Sequence, residues 1–379
     1  MKYLVVGSGR MSRGIIHDLL NLNSTEQVIV TDISDKALLS IQTHFRDNRL
    51  ETHQVNANDK DRLMQLMDQV AGVISAVPYD YNFNLTRWAI ATGCHFVDLG
   101  GNNSIVQKQF TLDADAKKAG VGVIPDCGLA PGMASVLSRY IVDQLEQVDN
   151  LNIRVGGLPL NPQTPLNYML VFSVRGLINE YLEPAIILDD GEIKTVPSLT
   201  AIEELAFPHP FDRLEAFYTS GGTSTLPQTY AGKIRHLDYK TIRYPGHCRL
   251  FKSMLDLEFS SNTAVRVKDK QYSRRELFEA LLVDPLSYEA EDAVLMRITA
   301  EGNINGTKLT KSYQTIQYGN KEMALTAMMR ATAFPAAIAL EMLVEGTIKE
   351  TGVLKQELAI PPQRFITALS ARGIAFESV

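Results

Sequence analysis

The chain has few cysteines, no long apolar run and no basic tract. Its 379 residues include three cysteines, Cys94, Cys127 and Cys248, with no CxxC pair and no metal-ligand spacing to the seven histidines. That pattern argues against a structural zinc and for reduced thiols. No apolar stretch approaches the roughly 20 residues needed to cross a bilayer. Met1 leads directly into a strand pattern, not into a charged and then apolar leader, so a cytoplasmic protein with no membrane partner is expected. Thirty-seven basic against 43 acidic residues give a net charge of −6 with no basic run, which excludes nucleic acid as an expected partner. Internal repeats and low-complexity tracts are missing too. A chain of this length predicts two domains with substantial cores.

What is present begins at once. Residues 2 to 32, KYLVVGSGRMSRGIIHDLLNLNSTEQVIVTD, read as strand, glycine turn, helix and second strand ending on an acid. Lys2 to Val6 is a short β-branched run suited to a buried parallel strand. Gly7 and Gly9 permit a tight turn and close approach of main chain to a pyrophosphate, with Arg10 and Met11 opening the helix whose N-terminal amides face the phosphates. Ser12 stands where the third small residue of G-x-G-x-x-G/A belongs, and Gly14 follows two residues later. Asp32, about 25 residues after Gly7, is placed to bind a ribose 2′-hydroxyl and to repel a 2′-phosphate, which favours NAD over NADP. The alternative is that Asp32 merely starts the next helix with Ser34 and Asp35. Ala71 to Ala76 and His95 to Asp98 predict further strands, and the turn at Ala76, Val77 and Pro78 is expected near the nicotinamide ribose.

Strands and helices alternate up to residue 125, with a helix predicted over Gln107 to Ala119 and a last strand over Val121 to Ile124. Longer strands follow at Leu151 to Val155, Tyr168 to Ser173, Ile234 to Arg243, Ala293 to Ala300 and Lys308 to Tyr318, with Asn305-Gly306 as a hairpin turn. Helical periodicity returns from Met323 to Glu345, with Pro335 inside it. The fold class expected is α/β: a Rossmann-type parallel sheet plus a second α+β domain with a mainly antiparallel sheet. The nucleotide domain spans 1–125 and is completed by C-terminal helices over about 323–379. Residues 126–322 form a substrate-binding and oligomerisation domain, and the exposed sheet predicts a homo-oligomer, dimer or higher.

Four segments carry candidate chemistry: Pro125 to Met133, RVGGLP (154 to 159), FSVRG (172 to 176) and TIRYPGH (241 to 247). Gly156 and Gly157 are read as ending a strand and permitting close approach of a ligand. A fifth stretch, 210 to 227, offers Thr219, Ser220, Thr223 and Ser224 as hydrogen-bonding groups, although an ordinary surface loop has the same composition. Cys127 and Cys248 read as small buried hydrophobes.

In this order behind a nucleotide fold, the motifs GLAPG (128 to 132), GGLP (156 to 159), TIRYPGH and the terminal RGI (372 to 374) resemble the saccharopine dehydrogenase family over nearly the whole chain. Within it the likeness is to the branch that oxidises the ε-amine of L-lysine. Members that handle saccharopine typically carry an acid in GLDPG and a cysteine before GGLP; here Ala130 and Val155 stand there, which implies a smaller substrate. The resemblance implies that NAD takes a hydride from the ε-carbon of an amino-acid substrate and that water releases ammonia. It gives Arg243 as the clamp for the substrate carboxylate, with a surface strand-end arginine as the alternative. Arg175 is the second clamp candidate, or else an ion pair with Glu180 or Glu183. Deprotonation of the amine needs a base. His247, after the Pro-Gly turn, is one candidate and Asp126 the other, with a structural role open for each; Tyr244 can hydrogen-bond either. Other readings are a reductase forming a secondary amine, of saccharopine or carboxynorspermidine type, and a non-catalytic nucleotide-binding scaffold.

Overall fold

The computed structural model, described over residues 1–379, places Lys2–Val6 (β1), Gln27–Asp32 (β2), Leu50–Gln54 (β3), Gly72–Ser75 (β4), His95–Asp98 (β5) and Gly122–Ile124 (β6) in one parallel sheet ordered β6-β5-β4-β1-β2-β3. The sequence reading ended this sheet at residue 124, but Gly352–Val353 returns to add a seventh parallel strand beside β6. Both faces are covered, as an all-parallel sheet requires. Tyr3 and Val5 pack into the core holding Ile15, Ile16 and Leu19 of the helix Arg10–Asn21 (α1) and most of the helix Ala327–Val344. Leu4 and Val6 point the other way, to Leu63, Leu66 and Leu85. Gly14 lets α1 and Ala327–Val344 approach, since a Cβ there would lie 2.6 Å from the Ala333 Cβ.

Ala327–Val344 is 18 residues long and apolar enough by length and composition to cross a membrane, which the expectation of no such run overlooked. In the fold 78% of it is buried, and its Arg330 donates to the Tyr318 carbonyl at 2.8 Å. It is a core helix lying between the two sheets.

The second sheet is built on Gln147–Pro159 (β7), which pairs antiparallel with Asp292–Ile304 and parallel with His236–Arg243. That parallel pair is the exception in a sheet whose other pairings are antiparallel. Asp292–Ile304 and Thr307–Tyr318 form the expected hairpin, with Asn305 and Gly306 at φ 50° and 76° in the left-handed turn.

Three stretches differ locally from expectation. Tyr168 to Ser173 is not a strand: Tyr168 and Leu170 are buried among helices, and Ser173 caps the helix Val174–Leu182 by accepting from the Gly176 amide. Their apolar character served packing, not a ladder. The helix predicted over Gln107 to Ala119 is two, Asn103–Phe110 and Asp113–Ala119, broken where the Thr111 hydroxyl bonds back to the Lys108 carbonyl at 2.6 Å. The stretch 210 to 227, weighed as a loop, contains the strand Leu214–Tyr218.

Candidate active site

A cleft of about 710 Å³ opens where the carboxyl ends of the parallel strands face the second sheet, the position ligands take in open α/β sheets. Gly9, Arg10, Met11, Ala76, Val77 and Pro78 line one side. Gly7 sits behind them at φ 103°, where a Cβ would be 2.8 Å from the Ala76 carbonyl oxygen, whereas the space off Gly9 is open. The helix α1 starts at Gly9 with no side-chain cap, which leaves its first amides for an anion. Asp32 accepts from the Ser8 and Ser34 amides, both at 2.8 Å, so it braces the turn from the tip of β2. An uncapped helix start, an open glycine and a carboxylate at the end of the second strand fit a dinucleotide. Arg10 also reaches across to donate to the Leu170 carbonyl at 2.8 Å and ties the turn to the second domain.

The opposite wall is supplied by β7, by His236–Arg243 and by Val174–Leu182. Arg243 is buried, yet it lines the cleft. Its Nε donates to the Tyr181 hydroxyl at 2.9 Å, its Nη1 donates to the Ile242 carbonyl at 2.9 Å, and its guanidinium lies 4.8 Å above the Tyr168 ring. Nη2 makes no hydrogen bond and is 3.9 Å from Glu180. A guanidinium held by its back edge and two aromatic rings, with the remaining donors free, suits a carboxylate.

His247 lies behind this arrangement and outside the cleft lining. Its Nδ1 is 2.9 Å from the Leu166 carbonyl, which can only accept, so Nδ1 carries the proton and Nε2 accepts from the Tyr181 hydroxyl at 3.0 Å. Burial, reinforced by the Arg243 charge, pushes its pKa down to about 3. The expectation of a base here is corrected: both ring nitrogens are spent, and the Pro-Gly turn aims the ring into a box of Tyr168, Tyr181, Phe217 and Phe251. Tyr244 is likewise elsewhere, its hydroxyl donating to the Pro159 carbonyl at 2.9 Å and its ring packing beside the Phe207 and Phe211 core.

Asp126 does line the cleft. It is buried, with φ 60°, and its Oδ1 accepts one amide, from Gly101 at 3.3 Å. Burial first, and then the neighbouring Asp98, raise its pKa to about 7. Asp98 accepts from the Gly100 and Asp126 amides and from Gln109. With three donors against one, Asp98 is the better-held carboxylate, and Asp126 is the one of the two that takes up and gives back a proton near neutral pH.

Other expected residues shift in meaning. Gly156 and Gly157 line the cleft but lie inside β7. A Cβ on Gly156 would strike the Ile242 carbonyl at 2.4 Å, so neighbouring backbone, not ligand, demands glycine there, whereas one on Gly157 would meet only the movable end of the Met328 side chain at 2.5 Å. Arg175 stands exposed at the rim, 3.6 Å from Asp80 and over the Tyr79 ring, not with Glu180 or Glu183. Cys127 and Cys248 are fully buried in apolar cores. The Leu99 to Asn102 loop, whose Gly100 packs directly on Asp126, holds no residue expected from the sequence, and Glu180 and Glu183 were expected only as partners of Arg175. A glycine pair after a strand ending on an acid was the available signal. Ser220, one of the hydroxyl residues of the stretch 210 to 227, lines the cleft with Gly221, while Thr219, Thr223 and Ser224 do not.

A dinucleotide turn facing a charged cleft across a second domain defines a nucleotide-dependent oxidoreductase. The model of the saccharopine dehydrogenase NADP binding domain matches residues 3–124 and that of the saccharopine dehydrogenase C-terminal domain matches 128–374, and the chain belongs to the saccharopine dehydrogenase family. It is thus a member of a family of oxidoreductases acting on amino groups. It is 22% identical to the NADP(+), L-glutamate-forming saccharopine dehydrogenase of Saccharomyces cerevisiae, over 93% of this chain and 92% of that protein. Carboxynorspermidine synthase of Vibrio cholerae is 22% identical over 100% of this chain and 96% of its own length. The mitochondrial alpha-aminoadipic semialdehyde synthase of Rattus norvegicus is 21% identical, and the chain spans 47% of it. The apo structure of the L-Glu-forming saccharopine dehydrogenase from Saccharomyces cerevisiae superposes with a TM-score of 0.82 at 19% identity, covering 100% of this chain and 99% of that one, which establishes the shared fold.

Proposed function

We propose that the chain is an L-lysine 6-dehydrogenase, oxidising the ε-amino group of L-lysine with NAD to the 6-semialdehyde, which cyclises to piperideine-6-carboxylate, and releasing NADH and ammonia. The observation that carries this reading is the charge inventory of the cleft. Its bases are Arg10, Arg175 and Arg243; its acids are Asp80, Asp126, Glu180 and Glu183. Arg175 and Asp80 offset each other at the rim, and Arg10, at the start of α1, belongs to the nucleotide side of the cleft. The interior is left with one guanidinium, Arg243, among three carboxyl groups. Such a site complements a substrate with one carboxylate and two amines, and it works against a tricarboxylic adduct such as saccharopine, whose additional carboxylates would face acids. Ala130 and Val155, where saccharopine-handling members typically hold an acid and a cysteine, both line this cleft.

NAD is favoured over NADP by Asp32. The family model and the yeast relative carry NADP in their names, but a carboxylate at the tip of β2 repels a 2′-phosphate and accepts from a 2′-hydroxyl. When bound, the nicotinamide supplies the two-electron acceptor for the hydride leaving the ε-carbon. The chain's own residues do the rest. Arg243 holds the α-carboxylate. Asp126 takes the proton from the ε-ammonium, because only the free amine has the lone pair that forms the substrate's C=N bond. Addition of water to that iminium and loss of ammonia leave the aldehyde, onto which the α-amine closes.

A second reading follows from the names of the relatives, of which the yeast saccharopine dehydrogenase and carboxynorspermidine synthase match nearly full length: a reductase joining an aldehyde to an amine. One spectrophotometric screen separates the two. Lysine-dependent NADH formation with stoichiometric ammonia supports the dehydrogenase; reduced-cofactor consumption only when an aldehyde and an amine are both supplied overturns it.

A further inference from the structure

Glu180 is the acid in the cleft with no work yet assigned. Its side chain is 19% exposed and faces Arg243, with Oε1 3.9 Å from Nη2. That separation is too long for a hydrogen bond, so the two groups have not closed on each other. A directed chain of hydroxyls fixes the carboxylate: Thr241 donates to Glu180 Oε1 at 2.7 Å, and Thr241, its one proton spent, accepts from Thr219 at 2.7 Å. Oε1 is thereby held as an acceptor, and Oε2 makes no hydrogen bond within the chain. Ser220 anchors the same residue by donating its amide to the Glu180 carbonyl at 2.9 Å. The other acid on this wall, Glu183, accepts from Asn102 at 3.1 Å and is already engaged.

We infer that Glu180 is a specificity-determining residue that binds the α-ammonium of the substrate while Arg243 binds its α-carboxylate. A zwitterionic α-amino-acid head bridges the open gap between them, each charge meeting its opposite with free lone pairs on one side and free N–H groups on the other. The distal amine is then left for the other side of the cleft, which Asp126 lines. This rests on the amine-oxidising reading above and extends it: the chain selects an α-amino acid, not any ω-amine, and it does so with two residues from the second domain.

The test compares lysine with 6-aminohexanoate, which keeps the carboxylate and reacting amine but lacks the α-amine. For the wild-type protein, kcat/KM for lysine should exceed that for 6-aminohexanoate by about 10- to 100-fold, the range of a charge-assisted hydrogen bond. In Glu180→Gln, which keeps the bond to Thr241, that ratio should fall to near one, with NADH binding by fluorescence reporting an intact fold. Equal kcat/KM values in the wild type, or an unchanged ratio in Glu180→Gln, overturn the assignment. Calorimetry of both compounds against the wild-type protein saturated with NADH makes the same comparison without turnover. If lysine binds there at least tenfold tighter than 6-aminohexanoate, that preference is lost in Glu180→Gln under the same conditions, and lysine is not oxidised, the reaction assigned above fails while the role of Glu180 stands; a preference kept in Glu180→Gln overturns that role.

Discussion

The Tyr181 hydroxyl accepts from Arg243 Nε at 2.9 Å and passes its own proton toward His247 Nε2 at 3.0 Å. Arg243 is therefore aimed by a neutral histidine it never touches through a hydrogen bond. Leu166 fixes the tautomer, the tautomer makes Nε2 an acceptor, and the acceptor turns the tyrosine hydroxyl so that its lone pairs face the guanidinium. Removing the hydroxyl in Tyr181→Phe should raise KM for lysine about tenfold, the cost of roughly one hydrogen bond to a charged group, with a smaller change in kcat. Arg243→Ala should raise KM about 100-fold or more, because it removes the charge and the three N–H groups left free for the carboxylate, and leave NAD affinity unchanged. A Tyr181→Phe enzyme with wild-type KM would mean that the tyrosine does not orient the clamp.

Asp126 gives the reaction its pH dependence. With the carboxyl held at about 7 by burial and by Asp98, the base form is lost as pH falls, so kcat/KM should drop tenfold per unit below about 7 and level off above it. Asp126→Asn should lower kcat by about 100-fold or more and abolish that limb. A limb that persists unchanged in Asp126→Asn assigns the base elsewhere.

His247 should appear in stability instead. The folded protein keeps it neutral down to about pH 3, whereas the unfolded chain takes up a proton near the ordinary value of 6.5. Between these values the unfolded state binds more protons, so this contribution is complete above about 6.5 and is lost as pH falls through that window. Urea unfolding of wild type and His247→Gln across pH 4 to 8 should show a stability gap that narrows on the acid side. Parallel curves would remove the histidine from the account.

The nucleotide half was legible because its signals are local. Gly7, Gly9 and Asp32 fall within one βαβ unit, and the alternation of strands with amphipathic helices fixes their placement. The cleft's second wall was legible only as motifs. TIRYPGH placed Arg243 in the cleft, but nothing in its spacing told that His247, four residues on, begins the helix His247–Asp256 and turns into an aromatic box. Burial, which removed it from the list of bases, is a long-range property: its partners Leu166 and Tyr181 are 81 and 66 residues away in sequence. Glu180 escaped for the same reason, since Thr241, 61 residues distant, is what makes it more than a helix-surface acid. Tyr168 to Ser173 misled in the opposite direction, because a buried irregular segment and a buried strand share the same apolar composition.

Cofactor choice rests on the tip of β2. Asp32 uses one lone pair on each oxygen for the Ser8 and Ser34 amides, and each oxygen keeps another for a ribose hydroxyl. A 2′-phosphate brought to the same place would set two anions against each other with Asp35 close behind in sequence. Asp32→Ala should therefore lower the ratio of kcat/KM with NAD to that with NADP by about tenfold or more, chiefly by weakening NAD, since one charge-assisted hydrogen bond is lost. Asp32→Ala also releases the Ser8 amide at the turn, so NAD affinity should fall even where NADP affinity rises little. Initial rates with both cofactors at fixed lysine decide the matter: an unchanged ratio would show that the carboxylate braces the turn and does not read the ribose.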